Sequence, residues 1–429
     1  MRATYVAAGA AAGAATMLRA LAASGDARTR LRERQGRWDN HGGAARPWLW
    51  IHGASVGEAN ISIAVAHALA EHLGGVRLVV STMTDTGRDR ILREVGLEPR
   101  YFPIDFAPFV KRVLEPLAPR LFVAVETEIW PETLRLLAAR RVPVVFVNAR
   151  LSDESLPRYQ RLLPLLKPLM QGVARVCARD DDAAERWVSL GVPNARLKVT
   201  GNIKFDLANY EEEDGVTLPL FARLAGSPTL LAASTHDGEE ALAVDAFKMV
   251  RRPVATARLV LAPRHPGRAA DVIALVRSRG LSATPWSEFE ATRREGAWPA
   301  NTDVVVLDQL GLLRRAYTGA TAAFVGGSAV PGPGGHNLLE AAVAGCPMAA
   351  GRHLGNVSDQ VRLLTGHDAL RVVENVAGLS SFWIEVIAIP EHFRDRAAAA
   401  RAAVPTLHGA LDRCVGELLP LLGAAPERR

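Results

Sequence analysis

From residue 46 onward, short apolar runs rich in β-branched residues alternate with longer stretches of helical length. WLWIHGAS (48–55), RLVVST (77–82), LFVAVETE (121–128), VPVVFVNAR (142–150) and VARVCARD (173–180) make a first series. TLLAAST (229–235), ARLVLAPRH (257–265), DVVVLD (303–308) and TAAFVGGS (321–328) make a second. Runs that are apolar at every position predict strands buried on both faces, which means parallel sheets covered by helices. Between the two series, EEED (211–214), Gly215, Pro219, Gly226 and Pro228 break the pattern and read as a linker over 207–228. The expected α/β architecture is therefore two Rossmann-like domains, 46–206 and 229–400, flanked by an N-terminal segment (1–45) and a C-terminal helical segment (401–429). Ligands are expected in a cleft facing the carboxyl ends of the strands.

The N-terminal segment has a different pattern. Ala3 to Leu18 carries no charge, but these 16 residues are mostly Ala and Gly and fall short of the roughly 20 that span a bilayer. Arginines follow the apolar stretch, which is the wrong order for a cleaved signal peptide. The expectation is a short helix lying on the membrane, with arginines over anionic lipid. The alternative is an Ala-rich helix packed on the domain.

Composition narrows the picture. The chain has 429 residues, 49% hydrophobic and 22% charged, as expected for folded domains with their own cores. Of a net charge of +6, five charges come from residues 1–50, which hold eight arginines against three acids. The remainder is nearly neutral, so no nucleic-acid partner is expected. Cys177, Cys346 and Cys414 are far apart without a CxxC pair, excluding a disulfide scaffold and a cysteine-built zinc site. No HExxH occurs, and no metal or other cofactor is expected.

Four loops after strands carry candidate chemistry. In HGASVGE (52–58), Glu58 falls in a first helical turn, where the helix dipole favours a carboxylate. It is either a general base in a cleft or, with Ser55, half of a capping box. In ETEIWP (126–131), Glu126 and Glu128 lie on one side of an extended strand and line a sugar site or meet arginines. In PRHP (263–266), Arg264 and His265 suit an anionic ligand or belong to a solvated loop. VGGSAVPGPGGHNLLE (325–340) leads through five glycines into a helix from about Asn337. Its backbone amides and helix start predict a phosphate or nucleotide site, with Glu340 one turn along from His336 to accept ribose hydroxyls.

Taken in order, these segments resemble the Kdo transferases, which move 3-deoxy-D-manno-octulosonic acid (Kdo) from CMP-Kdo to the lipid A precursor. HGASVGE, STMTDTGRDR (81–90), YFPIDF (101–106), ETEIWP, VNARLSDES (147–155), TGNIKFD (200–206), ASTHDGEE (233–240), APRHPGR (262–268), FVGGS (324–328) and GGHNLLEAAVAG (334–345) carry the resemblance. It implies a GT-B fold, with the acceptor bound in the first domain and the nucleotide sugar in the second. It also implies an inverting, metal-independent transfer to lipid IVA at the cytoplasmic face of the bacterial inner membrane. Glu58 would be the catalytic base, with Ser55, Gly57, Glu126, Glu128, Arg150 and Lys204 on the acceptor side. Arg264, His265, Gly311, Gly334, Gly335, His336, Asn337 and Glu340 would hold the donor. Three segments depart from the family pattern: DQLGLL (308–313) has Leu312 where a Glu is expected, VPGPGG (330–335) is one residue longer, and GRHLGNV (351–357) replaces GPHxxNF. All three surround the expected donor pocket. A GT-B transferase or epimerase acting on a UDP-sugar is the alternative within the fold, and an inactive membrane-associated binding protein the alternative outside it.

Overall fold

The computed structural model describes residues 2–22, 24–38, 48–152, 155–207, 218, 227–291, 298 and 301–423. The expected linker therefore lies almost wholly outside the described residues, as does the start of the first domain at residue 46. The chain divides into two compact units, Met1–Asn209 with Leu407–Arg429, and Tyr210–Thr406.

Among the described residues, the first unit is built on seven parallel strands: β1 (Trp48–His52), β2 (Arg77–Thr82), β3 (Leu97–Tyr101), β4 (Leu121–Val125), β5 (Val144–Ala149), β6 (Arg175–Ala178) and β7 (Leu197–Val199). Their spatial order is β3-β2-β1-β4-β5-β6-β7. The order reverses between β1 and β4, the place where an open α/β sheet leaves room for a ligand. Alternate residues of β1 feed two separate cores. Trp48 and Trp50 pack on one face with Phe102 and Phe122. Leu49 and Ile51 pack on the other with Val80 and Val123.

The second core is completed from the far end of the chain. Ala410, Cys414, Val415 and Leu418, on the helix Ala410–Gly423, are buried against it. Asp206 accepts from the amides of Gly409 and Leu411, both at 2.6 Å, and Arg175 pairs with Glu417 at 3.0 Å. The segment expected to stand apart from residue 401 is thus split. The helix Pro390–Ala403 belongs to the second unit, and the last helix covers the first sheet, because that face would otherwise lie open to water.

The second unit holds β8 (Thr229–Thr235), β9 (Arg258–Pro263), β10 (Ala283–Pro285), β11 (Val304–Val306), β12 (Ala322–Val325), β13 (Met348–Ala350) and β14 (Leu370–Val372). These strands are also parallel, in the order β10-β11-β9-β8-β12-β13-β14. Two Rossmann-like sheets with helices in one chain make a GT-B fold. All nine expected strands are present. The five that the apolar pattern did not mark are β3, β7, β10, β13 and β14. Four of these are sheet edges, paired with a strand on one side only and with less need of a continuous apolar run. Pro99 fits in β3 for the same reason.

The N-terminal helix spans Arg2–Ala22. Gly13 is buried, and a Cβ there would lie 3.2 Å from the Phe109 ring. Tyr5 donates to Asp105 at 2.7 Å. One stripe of the helix thus packs on the domain, whereas Thr4, Ala7, Ala8, Ala11, Ala12, Ala14 and Ala15 are exposed. Among the described residues no helix is long and apolar enough to cross a membrane.

Leu418→Ala tests the role of the returning helix. Leu418 is fully buried, and emptying such a site costs about 2–5 kcal/mol. Urea unfolding should show that loss, and amide exchange should quicken in β5 and β6.

Candidate active site

In the first unit, the chain turns off β1 at Gly53 and starts a helix at Val56. Ser55 is its N-cap, with its hydroxyl accepting from the Glu58 amide at 3.4 Å. The Glu58 carboxylate folds back to accept from the Ala54 amide at 2.6 Å and from the Ser55 hydroxyl at 3.1 Å. The capping geometry is therefore real, and it holds the half-buried carboxylate in one orientation. Burial raises the Glu58 pKa, and the charges of Glu126 and Glu128 raise it further, against the lowering by Ala54 and Ser55. The helix-dipole expectation considered only the stabilising side of this balance.

The two acids after β4 do not share a side. Glu126 takes φ +58°, a left-handed conformation that ends the strand's alternation. Its carboxylate accepts from Lys204 at 2.7 Å, and Arg150 lies 3.8 Å away. Glu128 instead accepts from the Trp130 indole at 2.9 Å and lies 3.2 Å from His52 Nε2. His52, at the end of β1, is fully buried and stacked on Phe102. Its Nδ1 is 2.9 Å from the Ser81 carbonyl. Sequence reasoning missed His52, although it begins the HGASVGE segment.

In the second unit, a cavity of about 490 Å³ opens beyond the ends of β9 and β11. Arg264, Gly311, Arg314, His336, Asn337 and Glu340 are among its lining residues. Arg264 is exposed and makes no ion pair among the described residues. Burial raises the Glu340 pKa, opposed by its bond from Asn337 at 3.2 Å and by Arg314 and Arg264. His336 is pushed down to about 4, first by burial and then by Arg264 and His236, so it is neutral at neutral pH. Of the expected donor residues, His265, Gly334 and Gly335 do not line this cavity. His265 meets His236 edge-on, with ring centroids 6.1 Å apart. Gly334 and Gly335 take φ +72° and +93°, with Asn356 and Val357 where Cβ atoms would lie. Their role is to let the loop pass close to the 353–357 segment.

The glycine loop's amides are also not a ready-made anion site. Glu239, fully buried, accepts from the amides of Gly327, Ser328 and Ala329 at 2.7–2.9 Å and of His236 at 2.9 Å. Leu338 N–H goes to Gln360 and Leu339 N–H to Asn337. The following helix is only Leu339–Val343, two residues later than expected. With these amides taken, the cavity's side chains are left to meet an anion, Arg264 first among them. The segment ASTHDGEE contains Glu239 but gives it no role, because three of its four partners lie about ninety residues away.

Comparison with known proteins decides the family. Residues 29–207 match the family described as 3-deoxy-D-manno-octulosonic-acid transferase (kdotransferase). A 3-deoxy-D-manno-octulosonic acid transferase of Haemophilus influenzae is 30% identical over 92% of this chain and 92% of its own length. The chain belongs to the Kdo transferase family. It is a glycosyltransferase. A Bordetella pertussis Kdo transferase is 32% identical, with 87% of each chain covered. Among solved structures, a UDP-GlcNAc 2-epimerase from Neisseria meningitidis matches with a TM-score of 0.56 at 15% identity, covering 87% of this chain and all of that one. That likeness is one of fold alone. Within this Kdo transferase, Leu312, which departs from the family pattern, is nearly buried at the start of the helix Leu313–Gly319.

The depressed His336 pKa predicts a pH effect. Above 6.5 both folded and unfolded chains hold the ring neutral, so its contribution to stability is complete. As pH falls from 6.5 towards 4, the unfolded chain takes up the proton first and stability is lost. Melting temperature should therefore fall more steeply over that window in the wild type than in His336→Asn.

Proposed function

We propose that this chain transfers Kdo from CMP-Kdo to a hydroxyl of the lipid A precursor lipid IVA, with inversion and without a metal ion. Glu58 is the general base. The observation that carries this reading is the Glu58 carboxylate: oriented by Ala54 and Ser55, with its proton affinity raised by burial and by Glu126 and Glu128. A base is most useful when its pKa is brought towards the working pH. The acceptor hydroxyl attacks the anomeric carbon of Kdo while its proton passes to Glu58. The bond from that carbon to the phosphate oxygen breaks, and CMP leaves with the electron pair. Attack on the face opposite the leaving group inverts the centre.

The donor carries a phosphodiester and a sugar carboxylate, both anionic. Arg264, without an ion-pair partner among the described residues and at the mouth of the second-unit cavity, supports donor binding there. Charge-assisted hydrogen bonds can stabilise the departing phosphate in place of a metal. Lys204 and Arg150, paired with Glu126, support an acceptor role for that corner of the first unit. The exposed alanine-rich face of the N-terminal helix and the arginines after it support attachment to the cytoplasmic face of the inner membrane.

Two substitutions test the reading. Glu58→Gln keeps the side chain's size and loses the proton acceptor, so Kdo transfer to lipid IVA should fall about 10²–10⁴-fold. The melting shift induced by CMP should survive in the same variant. Near-normal transfer removes Glu58 as the base. Arg264→Ala should weaken CMP binding by the worth of a charged hydrogen bond, about 1.5–3 kcal/mol, and leave lipid IVA binding intact. Equal weakening of both places Arg264 outside the donor site. A melting shift with UDP that exceeds the shift with CMP would point instead to a UDP-sugar.

A further inference from the structure

His236 has no role in the site described so far. It lies in the loop after β8, and its Nε2 is 2.8 Å from His336 Nε2. The ring planes differ by only 14° while the centroids are 5.0 Å apart. The rings therefore meet edge to edge in almost one plane, as an N–H···N bond requires, and not face to face. Two Nε2 atoms at this distance need one hydrogen between them. One ring donates and the other accepts, so the pair has two tautomeric arrangements.

The surroundings distinguish the two. A Cβ on Gly327 would lie 2.6 Å from His336 Cδ2 and 2.8 Å from its Nε2, so this ring edge is pressed onto Gly327. Nδ1 is the ring atom opposite that edge, and it is the polar atom His336 has left for the cavity it lines. If His336 Nε2 carried the hydrogen, Nδ1 would turn a lone pair towards an anionic ligand. If His236 donates, His336 Nδ1 carries the hydrogen and meets the anion as a donor. Glu239 holds the frame for this choice, accepting from His236 N and from Gly327 N at 2.9 and 2.7 Å. One buried carboxylate thus fixes the backbone beneath both rings.

We propose that His236 sets the tautomer of His336, donating from its Nε2–H to His336 Nε2, so that His336 Nδ1–H is a neutral donor to the anionic group bound beside Arg264. His236 is a positioning residue, acting on the ligand only through His336. A neutral donor suits this place, since a protonated His336 would sit next to the Arg264 guanidinium. The ring is neutral at neutral pH because it is buried and, next, because Arg264 is near. The nature of the ligand, a nucleotide donor, rests on the function proposed above, whereas the tautomer does not.

The test uses the full chain labelled with ¹⁵N-histidine, the variants His236→Gln and His236→Leu, and CMP as the probe. Long-range ¹H–¹⁵N correlations on the ligand-free wild type should show His336 protonated at Nδ1 and bare at Nε2. His236→Gln keeps an N–H donor at similar reach and should retain both that signature and wild-type CMP affinity. His236→Leu removes the donor and frees His336 to hold its hydrogen on either nitrogen, so CMP binding should weaken, by up to about tenfold. The proposal is overturned if wild-type His336 carries its hydrogen on Nε2. It is overturned equally if His236→Leu binds CMP as tightly as the wild type, or if folded His236→Gln is as weak as His236→Leu. Should His236→Leu fail to fold, the wild-type signature and the Gln variant decide. A wild type that shows the Nδ1–H signature yet binds no CMP sinks the donor-site reading and leaves the histidine pair standing.

Discussion

Parallel strands use their backbone groups on both sides and present side chains to two faces, so both faces must be covered. In each unit this leaves little place for a polar side chain within the sheet. Polar chemistry is pushed to where the strands end and the chain turns over into a helix. His52 at the end of β1, Glu126 after β4, Arg264 after β9 and Gly326–Ser328 after β12 all occupy such positions. The strand order reverses between β1 and β4 and between β8 and β12, which spreads those loops apart. The same constraint brings the helix Ala410–Gly423 back to the first unit, because one face of that sheet needs a cover.

Carboxylates gathered at these strand ends are stabilised in unequal ways. Glu126 has Lys204 and Arg150. Glu239 has no cation among the described residues and is held by four backbone amides, a full complement for a buried carboxylate. Glu58 has two donors from its own turn and two like charges within electrostatic reach. Burial and those two charges raise its proton affinity against the two donors. Glu239 by contrast is a structural strut, and its negative charge serves to organise the loop on which His236 and His336 meet.

Much of the architecture is written in the hydrophobic pattern. Nine of the ten interior strands show as apolar runs because burial on both faces demands it, and the three-residue β13 does not. The glycine-rich run after β12 also shows, since a chain with φ above zero at Gly327, Gly334 and Gly335 admits few other residues. The family segments locate Glu58, Arg264, His336, Asn337 and Glu340, because each is a single loop read in chain order. Edge strands such as β7 and β14 leave no comparable trace. They are short and partly solvated, and only pairing with a neighbour makes them strands.

What the tertiary structure alone decides is which polar groups are already taken. The sequence offers the amides of the 326–339 loop as an anion site, yet Glu239, Gln360 and Asn337 occupy several of them. It offers Glu126 and Glu128 as a pair on one side, yet φ +58° at Glu126 sends them to different partners. It leaves His52 and His236 unremarked, although one touches Glu128 and the other His336. Burial on both faces is a demand made on consecutive residues, so it is legible along the chain. Hydrogen bonding at the strand ends joins residues from 3 to about 200 positions apart, and distance along the chain carries no record of which donor reaches which acceptor first.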